Sequence, residues 1–259
     1  MSCLTLRGCR IGEGRPKTIL PIVESTEAAI LARGTEFAAL PADCVEWRAD
    51  WFDASADPNA VTRCLQGLRA ALGGKLLLVT FRTAAEGGEK PLSLDGYRAF
   101  CGWVCDSGCA DLLDLELLPA GDVLPSLITM AHEAGVKVIC SSHDFTRTPS
   151  QTEMVTRMVR MQAAGADIAK LAVMPQSPAD VAALLAATAE MTERHPETPV
   201  ITISMGPLGA VSRVCGEALG SAMTFACAGK ASAPGQIELN EMNFILDRLA
   251  LPTRSPYNV

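Results

Sequence analysis

The run Gly165-Ala166-Asp167-Ile168-Ala169-Lys170-Leu171-Ala172-Val173-Met174-Pro175 decides how this chain folds. Ala169, Leu171, Ala172 and Val173 surround a single lysine, so the segment reads as a strand covered on both sides, the situation of strands in parallel sheets. An ammonium group in such a strand needs a reason. The plain structural one is that Lys170 snorkels to the strand end or pairs with a carboxylate. The chemical one is an amine kept partly neutral by burial and able to attack a carbonyl as a Schiff-base nucleophile.

Working outward, similar apolar runs occupy residues 18–23, 44–49, 75–81, 111–117, 136–141, 199–204 and 222–226, which with 167–173 makes eight. Helical patterns lie between and after them at 26–40, 58–72, 94–107, 123–134, 151–164, 178–194, 211–219 and 236–249. Asp57-Pro58 and Ser177-Pro178 put a capping side chain before a proline at the first helical position, and Gly73, Gly108, Gly135 and Gly165 sit just past helix ends. Eight strand-helix units in strict alternation predict a parallel α/β sheet closed into a (β/α)8 TIM barrel, one domain over residues 1–259. A doubly wound open sheet is the other architecture, but no G-x-G-x-x-G follows the first strand and no P-loop motif occurs. The first 17 residues fall outside the alternation; Leu4–Leu6 and Cys9–Ile11 around Arg7-Gly8 predict a small hairpin closing the N-terminal end of the barrel.

Composition narrows the function classes. With 259 residues, 49% hydrophobic and 20% charged, the chain can bury a large core. It has no uncharged apolar run of about 18 residues and no signal peptide, which predicts a soluble, cytoplasmic protein. Its 22 basic and 29 acidic residues give a net charge of -7 without a basic block, against a nucleic-acid or anionic-membrane surface. Ten cysteines without a C-x-x-C pair read as free thiols in a reducing compartment, and Cys101, Cys105 and Cys109 as one packed helix face rather than a metal site.

In a barrel of this kind chemistry collects at the carboxyl ends of the strands. There the chain has Glu46-x-Arg48-x-Asp50, Arg82 and Glu86, Asp114 and Glu116, His143, Lys170, and Ser204-Met205-Gly206. Alternation puts Glu46, Arg48 and Asp50 on one strand face, where buried charges either pair with one another or hold a polar ligand. His143 is the one histidine at a predicted strand end, on the strand next to Lys170; His132 lies within a helix and His195 in a polar turn. A lone strand-end histidine is commonly a hydrogen-bonded structural group, but beside Lys170 it supplies a proton shuttle to a nucleophile. Arg82 and Arg213 offer bidentate partners for a carboxylate, and residues 229–236 read as a loop, a candidate lid.

Assembled in order, these residues closely resemble the type I 3-dehydroquinate dehydratases of the shikimate pathway. The resemblance runs from Glu46-x-Arg48-x-Asp50 through Phe81-Arg82, Glu86-Gly87-Gly88, Ser142-His143-Asp144-Phe145, Ala169-Lys170 and Ser204-Met205-Gly206 to Ser232 and Pro234-Gly235-Gln236, nearly the whole length. It implies a homodimeric barrel that converts 3-dehydroquinate to 3-dehydroshikimate plus water by syn elimination, with no metal or organic cofactor. Lys170 would form an imine with the ring ketone, its pKa lowered by burial and by the cations Arg48, Arg82 and Arg213. His143 would move the protons and Glu86 would orient it. Glu46, Arg48 and Arg82 would hold ring hydroxyls, and Arg213, Ser232 and Gln236 the carboxylate. Pro21 departs from the pattern where family members can carry a serine, and offers neither hydroxyl nor N–H. Two other readings stand beside this one: a class I aldolase or transaldolase-like barrel, which accounts for Lys170 but not for the arginines, and a non-catalytic binder of a hydroxylated ring acid, which has no need of Lys170 with His143.

Overall fold

The computed structural model describes residues 2–229 and 232–251. Its barrel strands are β3 (Lys17–Ile22), β4 (Cys44–Arg48), β5 (Leu76–Thr80), β6 (Leu112–Glu116), β7 (Lys137–Asp144), β8 (Ile168–Val173), β9 (Val200–Ser204) and β10 (Met223–Cys227), preceded by β1 (Leu4–Leu6) and β2 (Cys9–Ile11) and followed by β11 (Ile237–Glu238). β3 to β9 pair in sequence order, all parallel, and β10 pairs with β3. Closure between β9 and β10 rests on a parallel bridge of Val200 with Ser221 and the Ala222 N–H donating to the Val200 carbonyl at 2.7 Å. Above that bridge β11 takes the same edge of β10, with Ala226 opposite Ile237. The predicted TIM barrel is thus the observed fold, with a seam between β9 and β10.

Local signals position the helices. Asp57 accepts from the Asn59 N–H before Pro58–Leu72, and Ser177 with Asp180 forms a full capping box ahead of Pro178–Arg194. The helix Gln151–Ala163 stops because Gly165 turns at φ 98°, a conformation open to glycine, which delivers the chain into β8. Several boundaries shift by one to three residues, and two helices near the C-terminal end of the chain depart in form from the sequence expectation. The segment 211–219 breaks into one-turn helices, Val211–Val214 and Gly216–Leu219, and the last helix, Leu239–Leu249, starts three residues late because β11 intervenes. Cys101 and Cys105 are buried on the helix Leu94–Asp106 as expected, but Cys109 lies beyond its end, where its thiol meets the Ser107 carbonyl.

The barrel interior is built in two storeys. The lower is apolar, with Ile19, Cys44, Leu76, Leu112, Ile139, Ile168, Ile201 and Met223 in one cluster. The β1–β2 hairpin plugs it from below, burying Ile11 fully, with Leu4, Leu6 and Cys9 packed against the same cluster. Further along five of the strands the inward positions are polar: Glu46, Asp114, Ser141 and Lys170 two residues on and Thr80 four residues beyond Leu76, all buried. The apolar floor excludes water from below, so every charge in the upper storey must be met by protein groups or a ligand.

Candidate active site

Register brings Lys170 and His143 together. Ser141 of β7 lies opposite Lys170 of β8, and His143 opposite Ala172, so the imidazole stands one inward position above the amine. Both open into one cleft at the carboxyl rim of the barrel, where small-molecule sites of this fold lie. Lys170 is 4% exposed; its Nζ sits 3.4 Å from Asp114 Oδ2 and 4.4 Å from the centre of the Phe225 ring. Burial holds the amine below the ordinary lysine range, opposed by Asp114 and then Glu46 and assisted by Arg82 and Arg48. Arg213, expected to add to this effect, is not among its causes.

His143 is fixed from behind. One oxygen of Glu86, Oε2, accepts from the His143 backbone N–H at 2.9 Å and shares a hydrogen bond with Nδ1 at the same distance. Burial, then Arg82, Lys170 and Arg48, push the imidazole well below its usual range, so it is neutral at physiological pH. Burial drives Glu86 up to about 8 against the pull of Arg82, and among the described residues its Oε1 has no hydrogen-bond partner. Phe145 stacks on His143 with ring centres 6.4 Å apart, and Gly87, at φ 81°, lies where a side chain would collide with that ring.

The arginines divide into two kinds. Arg82 is buried with both Nη groups engaged: Nη1 donates to Glu116 Oε1 at 2.7 Å and Ser141 Oγ at 3.0 Å, and Nη2 to Asp114 Oδ1 at 2.9 Å. Its first task is to neutralise two inner carboxylates that sequence reasoning noted at a strand end but gave no role. Asp114-x-Glu116 has the same two-residue spacing that marked Glu46-x-Arg48, and that parity is the signal which could have found them. Arg48 donates from Nε and Nη2 to the two oxygens of Asp50, each at 2.8 Å. Asp50 itself has left the strand: it sits in a one-turn 3₁₀ helix, Ala49–Trp51, and accepts the backbone N–H groups of Arg82 and Glu89. The expected three-residue strand face therefore shortens to Glu46 and Arg48, while the ion pair survives. Glu46 accepts from Thr80 Oγ1 at 2.7 Å.

Arg213 is different. It is buried, its Nη2 donates to the Pro234 carbonyl at 2.9 Å, and its Nε has no partner among the described residues. Desolvation lowers it to about 10, the mark of a cation short of counter-charge. The loop after β10 meets it: Gly206 N–H donates to the Pro234 carbonyl, and Ser232 and Gln236 bond each other through Ser232 N–H to Oε1 at 2.8 Å and Nε2 to Oγ at 3.0 Å. Of the expected 229–236 loop, Lys230 and Ala231 lie outside the described residues. Arg213, Ser232 and Gln236 line the same cleft as Lys170 and His143, whereas Pro21, although buried at the first strand, does not line it. His132 pairs with Asp167 at 2.7 Å, and His195 caps a helix; neither lines the cleft.

An amine, a neutral imidazole and a partner-seeking arginine around one rim define a (β/α)8 barrel built to hold a small anionic molecule. The model of the type I 3-dehydroquinase family matches residues 18–251. The 3-dehydroquinate dehydratase of Clostridium kluyveri is 44% identical over 95% of this chain and 96% of its own length. The crystal structure of the type I 3-dehydroquinate dehydratase from Clostridium difficile with covalently modified comenic acid is 42% identical, with a TM-score of 0.92 over 96% of this chain and 97% of that one. That of Geobacillus kaustophilus gives 0.93 at 37% identity, over 96% of each chain. The chain belongs to the type I 3-dehydroquinase family, and this membership sets aside the aldolase-like and non-catalytic readings.

Proposed function

We infer that this chain is a hydro-lyase of the shikimate pathway, removing water from 3-dehydroquinate to give 3-dehydroshikimate through an imine on Lys170. The observation that carries the roles is a depressed, buried lysine in one cleft with a depressed histidine whose Nδ1 is tied to the Glu86 carboxyl group. The neutral fraction of Lys170 attacks the ring ketone, and the resulting iminium draws electrons from the adjacent carbon, so that its proton becomes removable. His143, with Nδ1 held by Glu86, presents Nε2 to take that proton and then returns it to the departing hydroxyl on the same face. Glu86 orients the ring and sets its tautomer. Glu46, Arg48 and Arg82 hold the ring hydroxyls.

Arg213 meets the substrate carboxylate, which supplies the counter-charge its buried guanidinium lacks, and Ser232 and Gln236 complete that anchor. Besides its small-molecule substrate, the partner is a second copy of the chain in a homodimer, a state that sedimentation analysis reads directly. The site of action is the cytoplasm: the ten cysteines are free thiols, and among the described residues no helix is long and apolar enough to cross a membrane. The test is the ultraviolet absorbance of the enone product on adding 3-dehydroquinate to the purified protein. Absorbance should grow with wild type and vanish with Lys170→Ala; no growth with wild type would sink the reading.

A further inference from the structure

Asp114 is a buried acid that the scheme above leaves unused. It points inward from β6, and its two oxygens are divided between two tasks. Oδ1 accepts from Arg82 Nη2 at 2.9 Å and from Ser141 Oγ at 2.7 Å, while Oδ2 faces Lys170 Nζ at 3.4 Å. Neutralising Arg82 requires Oδ1 alone. The charged groups that face Lys170 are Asp114 on β6, Arg82 after β5, Glu46 and Arg48 on β4 and His143 on β7; of these Asp114 is the one that accepts a hydrogen bond from it.

Resting on the imine chemistry inferred above, we propose that Asp114 is a positioning residue for Lys170. Its Oδ2 holds Nζ for attack and then accepts the one N–H left on the iminium, keeping the Schiff base cationic while the carbon proton is removed. In the step itself the Nζ lone pair forms the N–C bond as the carbonyl π pair moves to oxygen. One proton passes from nitrogen to that oxygen, a second comes from solvent, the C–O bond breaks to release water, and the nitrogen lone pair closes the C=N bond. Nitrogen ends with one proton and a positive charge. A neutral imine would be a poorer electron sink, so a fixed anion at hydrogen-bond distance serves the later step. It does so at the expense of the first, because the same anion holds the resting amine more protonated than burial alone would. Asp114 is not itself the base: burial pushes its carboxyl up, but Arg82, Lys170 and the Ser141 hydroxyl hold it below the usual carboxylate range.

The test compares wild type, Asp114→Asn and Glu116→Gln. Glu116 is as buried as Asp114 but bonds Arg82 and Thr83, so it controls for loss of charge in the same storey. The rate of forming a borohydride-trappable adduct is measured against pH in single-turnover mixing, together with decay of the adduct to enone. Removing an opposite charge at this range should lower the amine pKa in Asp114→Asn by about one to three units, with adduct decay at least roughly tenfold slower. Glu116→Gln should leave the amine where it is. An unmoved amine pKa in Asp114→Asn, or an equal shift in Glu116→Gln, overturns the role. Should Asp114→Asn fail to fold, Asp114→Glu keeps the charge one methylene away: slower adduct decay supports positioning, and wild-type decay refutes it. No adduct in wild type at any pH would defeat the Schiff-base reading itself, a failure distinct from that of Asp114.

Discussion

Replacing Arg82 by methionine removes the guanidinium while keeping most of the side-chain length. The structure says what is left behind: Asp114 loses its 2.9 Å partner and Glu116 its 2.7 Å partner, both acids being buried. Breaking a buried ion pair costs about 3–5 kcal/mol, because the surviving charge stays desolvated. Glu116 keeps the Thr83 N–H and hydroxyl, and Asp114 keeps Ser141 and Lys170, so the lower end, about 3 kcal/mol near neutral pH, is expected. For a chain of this size that lowers Tm by roughly 6–12 °C. The penalty should also depend on pH. In wild type Asp114 has a folded pKa below its unfolded value, so its contribution is present above the unfolded pKa and lost as pH falls through the folded one. Without Arg82 burial takes over and the folded pKa rises above the unfolded value, so stability is lost as pH increases toward it. The difference between the two proteins therefore widens from about pH 5 to about pH 8, by up to ~1.4 kcal/mol per pH unit for one group. Urea melts followed by circular dichroism at both pH values measure it. A loss under about 1 kcal/mol at neutral pH, or one indifferent to pH, would refute the electrostatic account of the upper storey.

Other expectations reach the reaction. His143→Ala should still form the Lys170 adduct while proton transfer slows by roughly two to four orders of magnitude; single-turnover mixing checks this, and a full rate would move the base elsewhere. Arg213→Met should raise KM roughly 10- to 150-fold, the worth of a charge-assisted hydrogen bond to the carboxylate, with a smaller change in kcat by the enone assay. Gly87→Ala combines a left-handed backbone with displacement of the Phe145 ring from His143, so about 1–2 kcal/mol of stability and part of kcat/KM should be lost together, measured by thermal melts and steady-state rates.

Much of the fold was legible because its determinants are local. Asp57-Pro58 and Ser177-Pro178 begin helices where those residues stand, and the Arg7-Gly8 turn makes the predicted hairpin. Lys170 and His143 could be paired from sequence because consecutive strands of a parallel barrel are neighbours, so adjacency in order is adjacency in space. What could not be read depends on contacts between distant strands. Arg82 looked free for a ligand, yet β6 and β7 supply its partners; Arg213 meets the Pro234 carbonyl only because the loops after β9 and β10 converge at the barrel seam. Asp50 followed the alternation in sequence, but its carboxylate accepts backbone N–H groups of the next strand's loop, which a turn at Ala49–Trp51 makes possible.

In the mechanism proposed for this chain, Lys170 carries the chemistry as an amine held partly neutral. Borohydride reduction in the presence of 3-dehydroquinate, followed by intact and peptide mass measurement across a pH series, tests it most directly. One adduct per chain is expected on the peptide containing Lys170, forming with a midpoint below the reference lysine value of about 10.4. No adduct, an adduct on another lysine, or a midpoint matching a free lysine would contradict it.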